Sequence, residues 1–175
     1  MKVCVENIIM RRARREDIPF IVDIITKGWQ VAYEGIVDNE YLRNMDNERG
    51  KRITKIESVF DDNCFVVAEL NKEIVGFCRY VTDNSFSPEN KDADCEIIAI
   101  YVRPDLKYCG IGTKMFIYVM NELRKMDRAK MILWCLKDNE SSKEFYAKMG
   151  GIIIGEKIMK IGGKDYRFSC FLYDL

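Results

Sequence analysis

A chain of 175 residues is long enough to bury the core of one domain, and residues 1–175 read as a single unit. Lys plus Arg and Asp plus Glu both total 28, so the formal net charge is zero, which argues against a dedicated nucleic-acid binder. Histidine is absent, which excludes a His general base, a His-activated nucleophile and a His metal ligand.

In chain order, "NIIMRRARREDI" reads as a first strand, with Glu16 or Asp17 near the start of a helix. "IPFIVDIITKGWQVAY" sets Ile18, Ile21, Val22, Ile25, Trp29 and Ala32 at helical spacing. Shorter helical patterns follow at 40–45 and 48–60. "CFVVAEL", "NKE" and "IVGFCRYV" form a hairpin. "DNSFSPENKDAD" is a polar loop; its acids Asp83, Glu89, Asp92 and Asp94 are read as solvated, with attraction of a cationic substrate as the alternative. "CEIIAIYV" is the most strand-like segment, 111–125 is helical, and "KMILWCL" is another strand. Asp138 or Asn139 caps "ESSKEFYAKMG", which closes on Gly150. "GIIIGEKIMKI", "GGK" and "DYRFSCFLYDL" make a last hairpin. The order is roughly β-α-α-β-β-β-α-β-α-β-β, an α+β chain with a mixed sheet covered by helices.

The seven cysteines include no C-x-x-C pair, so a zinc site has no support. Their odd number, with no signal peptide, points to a reducing, cytoplasmic setting. No apolar run approaches the roughly 18 residues that span a bilayer, so no membrane partner is expected.

The stretch "YVRPDLKYCGIGTKMF" puts Gly110 and Gly112 where a strand gives way to a helix. The start of a helix offers unpaired N–H groups and a partial positive charge, and glycine lets an anion approach the backbone. "KYCGIGTK" is therefore a candidate pyrophosphate cradle, with the Thr113 hydroxyl and the charges of Lys107 and Lys114 nearby. Two glycines at such a junction also fit a merely tight turn. A dinucleotide loop would need Gly where Met115 stands, and a Walker loop fails because Thr113 follows Gly112.

This segment resembles motif A of the GCN5-related N-acetyltransferase (GNAT) superfamily, Q/R-x-x-G-x-G/A after a strand. "ILWCLKDNESSKEFYAKMGG" resembles its motif B, N-x-x-S/A-x-x-F-Y-x-K-x-G, matched at Asn139, Ser142, Phe145, Tyr146, Lys148 and Gly150. Motif A departs at its first position, which is Lys107: a lysine meets a phosphate as a point charge rather than a fork.

The resemblance covers most of the chain. It implies a mixed, mostly antiparallel central sheet with helices on both faces, acetyl-CoA as cosubstrate without a metal, and direct acetyl transfer to a primary amine. The acceptor it leaves open is a small molecule or a protein amine, and it implies a homodimer. It further implies that backbone groups of Ile100, Tyr101 and Val102 pair with the pantetheine arm. Lys107, Cys109, Gly110, Ile111, Gly112 and Thr113 hold the pyrophosphate, with Cys109 an incidental occupant, and Asn139 and Ser142 contact the cofactor. Glu96 is the implied base for the amine, Tyr146 the acid for the leaving thiolate, and Trp29 and Tyr33 wall the acceptor site.

Each role has a plainer reading beside it: a polar residue at a strand mouth, a buried aromatic, a helix cap, core packing. The alternative from another class is a non-catalytic acyl-CoA-binding regulatory module, which would need the turn but neither Glu96 nor Tyr146. The presence of both leans towards an enzyme.

Overall fold

The computed structural model describes residues 7–175, so Cys4 lies outside the described residues. The chain enters through β1 (Ile8–Arg12) and a 3-10 turn (Arg15–Asp17) that leads into α1 (Ile18–Ala32). Pro19 sits in the first turn of α1, where a missing N–H costs nothing. Asp17 stands at the expected helix start, but its carboxylate makes no capping bond to α1. It accepts instead from the Arg14 N–H at 2.8 Å and from two Arg11 nitrogens at 2.7 and 3.0 Å, while Arg11 Nε donates to Glu69 at 2.8 Å.

Two short helices follow, α2 (Asn39–Asn44) and α3 (Arg49–Val59), so three helices precede the second strand where the sequence-based order counted two. Asp38 caps α2 by accepting the Tyr41 N–H at 3.0 Å. The hairpin β2 (Phe65–Leu70) and β3 (Glu73–Val81) turns on Asn71 and Lys72, with φ of 51° and 66°. Two left-handed residues in succession match the right-handed twist of the flanking strands. β4 (Cys95–Val102), α4 (Ile111–Lys125), β5 (Lys130–Leu136), α5 (Glu140–Lys148), β6 (Ile152–Ile161) and β7 (Lys164–Asp174) complete the chain.

The seven strands form one sheet in the order β1-β2-β3-β4-β5-β7-β6, antiparallel at every pairing except β4 with β5. The apolar stripe of α4, Ile111, Met115, Phe116, Val119 and Leu123, is buried on one face against Cys78, Cys95, Ile97, Met131, Leu133 and Phe171, and Phe145 and Tyr146 of α5 pack beside it. Ile21 and Ile24 of α1 are buried on the other face against Phe65, Val67 and Phe77. Each of these large apolar side chains contributes about 1.5–3 kcal/mol of burial. The fold is the expected α+β arrangement, a mixed and mostly antiparallel sheet with helices on both faces.

Candidate active site

The site begins where the sheet comes apart. β4 and β5 pair at only three positions, Cys95↔Met131, Glu96↔Ile132 and Ile97↔Leu133, although both strands run on. Past Ile97 the flank of β4 that faces β5 has no strand partner among the described residues. At the same point β4 carries an extra residue relative to β3: Arg79 pairs with Ala99 and Tyr80 with Ile97, leaving Ile98 as a bulge. A bulge sharpens the local twist and shifts which face each side chain takes. Cys95 and Ile97 pack under α4, and so do Ile100 and Val102, whereas Ala99 and Tyr101 pack on the α1 face. The shift of parity puts Glu96 on the same face as Tyr101. An unbroken strand would have set it with Ile100 and Val102.

The split holds an inner cavity of about 120 Å³, lined among others by Tyr33, Tyr101, Cys135, Asn139 and Tyr146. It runs into a wider groove of about 850 Å³ between the starts of α4 and α5. Ile100, Val102, Lys107, Ser142 and Tyr146 line both. The groove is of the size that holds an extended small ligand.

At the groove's floor, Tyr108 and Gly110 take left-handed φ of 63° and 81° and turn the chain into α4, with Gly110 as its N-cap. The two glycines differ in purpose. Gly110 needs its freedom at positive φ. A Cβ at Gly112 would sit 3.7 Å from Phe145 and from Val102, an ordinary contact, so a small residue there keeps the groove open rather than making the turn possible. Gly112 and Thr113 line the groove. Ile111 is 1% exposed and belongs to the core, so only its backbone is available to a ligand. Cys109 also packs against the core and lines neither cavity; its thiol donates to the Lys107 carbonyl at 3.6 Å. Asn139 is buried and caps α5 by accepting the Ser142 N–H at 3.2 Å, while its side chain also borders the inner cavity.

Three phenols surround the inner cavity. Tyr146, half-buried, packs against Phe116 and Phe171 with ring centroids 6.4 and 5.6 Å away. Burial pushes its hydroxyl well above the usual phenol value, with Cys135 and Tyr101 adding to the rise. Tyr33 and Tyr101 share a hydrogen bond of 2.9 Å between their hydroxyls. Burial raises both, so all three phenols stay protonated at neutral pH. The Cys135 thiol is pushed up to about 12, again by burial, which leaves it inert as a nucleophile. Tyr33 lines the cavity. Trp29 does not; it stands behind, edge-on to Tyr33 at 4.9 Å and tilted against Tyr41 at 6.2 Å.

Glu96 lines neither cavity. It is 5% exposed, and its Oε2 finds no hydrogen-bond partner among the described residues. Burial raises its carboxyl, with Ser87 and Lys157 holding back the rise. Ser87 also accepts the indole N–H of Trp134 at 3.0 Å, and Trp134 borders the cavity, so Ser87 and Trp134 link Glu96's surroundings to the cavity wall. Three of the four loop acids are engaged structurally: Asp83 accepts the Ser85 N–H at 2.9 Å, Glu89 pairs with Lys157 at 3.2 Å, and Asp94 accepts the Ala129 and Lys130 N–H groups at 2.9 and 3.1 Å, while Asp92 is exposed.

Sequence reasoning assigned Tyr101 to the cofactor through its backbone and missed its side chain. The signal was Gly28. A Cβ there would lie 2.9 Å from the Tyr101 ring, and a glycine in the middle of a helical pattern marks such a close approach.

The profile of the acetyltransferase (GNAT) family matches residues 25–151. The chain is 29% identical over 138 residues to an uncharacterized N-acetyltransferase of Archaeoglobus fulgidus, covering 79% of this chain and 88% of that one. It is 20% identical over 149 residues to the spermidine N(1)-acetyltransferase of Thermoplasma acidophilum, covering 82% and 88%. The crystal structure of the PaiA N-acetyltransferase of Thermoplasma acidophilum in complex with coenzyme A superposes with a TM-score of 0.64 at 19% identity, over 93% of this chain and 97% of that one.

Proposed function

The chain belongs to the acetyltransferase (GNAT) family, and on that premise we propose that it moves an acetyl group from acetyl-CoA directly to a primary amine. The observation that carries this reading is the split between β4 and β5, with its open backbone edge leading to the start of α4. An acyl-CoA has an extended amide-bearing arm and a diphosphate. The unpaired flank of 98–102 offers backbone N–H and C=O groups to such an arm, as another strand would. The first N–H groups of α4, with Lys107 beside them, suit the diphosphate. The bound CoA structure of the Thermoplasma protein supports the same use of this fold.

When bound, the cosubstrate supplies an activated acetyl thioester; the chain's residues orient it and handle protons. An alkylamine with a pKa near 10.4 is mostly charged at pH 7, and making it neutral costs roughly 4–5 kcal/mol at ~1.4 kcal/mol per pH unit. Glu96 takes that proton through water. Its orphaned Oε2 can accept a donor, and its raised pKa brings it nearer the working pH of a base. As the C–N bond forms and the C–S bond breaks, Tyr146, held protonated, donates its proton to the thiolate and regains one from the acylated nitrogen, which must shed its second proton. Asn139 and Ser142 hold the start of α5 so that Tyr146 faces the cavity. Positioning and electrostatics account for the catalysis without a covalent enzyme intermediate. A reducing, cytoplasmic setting is part of the proposal, supported by the six described cysteines, all free thiols.

Gly112→Glu tests the binding half of the proposal. The change puts a carboxylate into the groove at the helix start, and acetyl-CoA affinity measured by calorimetry should fall at least tenfold, about 1.4 kcal/mol. A folded Gly112→Glu protein with unchanged affinity would remove the phosphate cradle from the mechanism.

A further inference from the structure

We propose that the hydroxyl pair of Tyr33 and Tyr101 anchors the acceptor nitrogen, and that the acceptor it takes is an amine with no second ammonium close to the reacting one. The inference deepens the proposed function and rests on it.

The pair joins the end of α1 to β4 by a 2.9 Å bond, inside the same cavity that Tyr146 borders. Two hydroxyls carry two protons and four lone pairs; the bond between them commits one of each, and the Trp29 indole N–H, which can only donate, takes a second lone pair on Tyr101, which leaves one proton and two lone pairs open. A neutral amine about to attack must keep its own lone pair free, so it needs partners that accept its N–H groups. A hydroxyl whose proton is already committed is such a partner.

The pair is also held rigidly. The Tyr101 ring lies against Gly28 and stacks on Phe77 with centroids 6.0 Å apart, and Tyr33 is braced by Trp29. Fixed acceptors aim a nucleophile better than mobile ones.

The charges around the pair set its selectivity. No Asp or Glu lines the inner cavity among the described residues, and its one charged side chain, Lys107, is positive. Behind the pair, Arg52 is half-buried and within electrostatic reach of Tyr41 and Tyr101, and Glu48 and Asp46 also act on it. No acid of the 83–94 loop lines the cavity, and Glu89 and Asp94 are engaged elsewhere, Glu89 with Lys157 and Asp94 with two backbone N–H groups. A second ammonium carried into this cavity would lose water and gain no counter-charge. The spermidine acetyltransferase to which the chain is 20% identical acts, by its name, on the opposite kind of substrate.

The test uses Tyr101→Phe, Tyr33→Phe and the double variant, with 1-aminobutane, 1,4-diaminobutane and spermidine in an acetyl-CoA turnover assay. Tyr101→Phe should raise the acceptor KM by roughly three- to tenfold, the size of one lost hydrogen bond, and leave the KM for acetyl-CoA unchanged. The double variant should do little worse than the worse single one, because the hydroxyls act as a unit. The monoamine should be used with a higher kcat/KM than either polyamine. A lowered melting temperature with an unchanged acceptor KM would make the pair a staple between α1 and β4 and overturn the anchor. A preference for spermidine would overturn the selectivity. Turnover of no amine at all would overturn the transfer reading, and the anchor with it.

Discussion

In the proposed reaction Tyr146 and Glu96 carry the proton chemistry, and burial moves both towards their neutral forms. For Tyr146 that is the useful form, since the phenol has to arrive protonated. Tyr146→Phe keeps the ring against Phe116 and Phe171 and removes only the donor, so kcat should fall by about 10²-fold. Stability should change by roughly 1 kcal/mol or less. A donor whose thiolate has a lower pKa should shrink the defect, and full activity on acetyl-CoA would show the hydroxyl to be idle. For Glu96 the shift bears on stability. A carboxyl raised by folding favours the folded state most below the ordinary carboxyl range, and the folded state loses stability as pH rises through the raised value. Glu96→Gln removes that loss, so its melting temperature relative to the parent should climb between pH 4 and pH 7. A constant difference would argue that Glu96 titrates normally. In rate, the Gln variant should suffer most where the amine is charged and recover as pH rises. At this scale the sequence was legible where a spacing mattered: Gly110, Gly112, Asn139 and Tyr146 all lie along one connected cleft. The direction of the Tyr101 side chain was not, because it depends on the bulge at Ile98.

The elements follow the periodicities in the sequence. α4 buries its apolar stripe, and the loop at 83–94 separates β3 from β4. What periodicity could not give is register. The bulge exists because β3 and β4 pair across that loop with one residue to spare, and a strand read alone has no partner from which to infer it. The start of α1 shows the same limit. Asp17 carries the signature of a cap, yet a residue on β1 and one on β2 decide its partners. Burial acts to raise the Asp17 carboxyl, but the Arg11 hydrogen bonds and the Arg14 N–H outweigh it and hold it below its usual value. Stability from this group is therefore present above the ordinary aspartate pKa and lost as pH falls through the lowered one. Asp17→Asn should cost roughly 1–3 kcal/mol at pH 7 in a denaturant titration. The penalty should shrink under acid conditions, where the parent's carboxylate is protonated too. A penalty independent of pH would mean that packing around Asp17 matters more than its charge.

At the scale of the molecule, one sheet is made of two parts, β1 to β4 and β5 with β7 and β6, joined at three residue pairs. The first part brings the open strand edge and the glycine turn. The second brings α5, with Tyr146 and Asn139, through the loop after β5. Helices pack on both faces of the sheet, and the groove and the phenol-lined cavity meet at the gap, where they share Ile100, Val102, Lys107, Ser142 and Tyr146. Both parts contribute to the site, so a ligand that spans the gap bridges them and should raise the melting temperature of the whole chain. Acetyl transfer itself is tested most directly by following free CoA released from acetyl-CoA, with and without each member of a broad amine library, and identifying the acetylated product by mass. Amine-dependent CoA release, with one acetyl group on the amine and none left on the protein, is the expected result. Tight acetyl-CoA binding with no amine-dependent release across the library would contradict transfer and leave a binding module in its place.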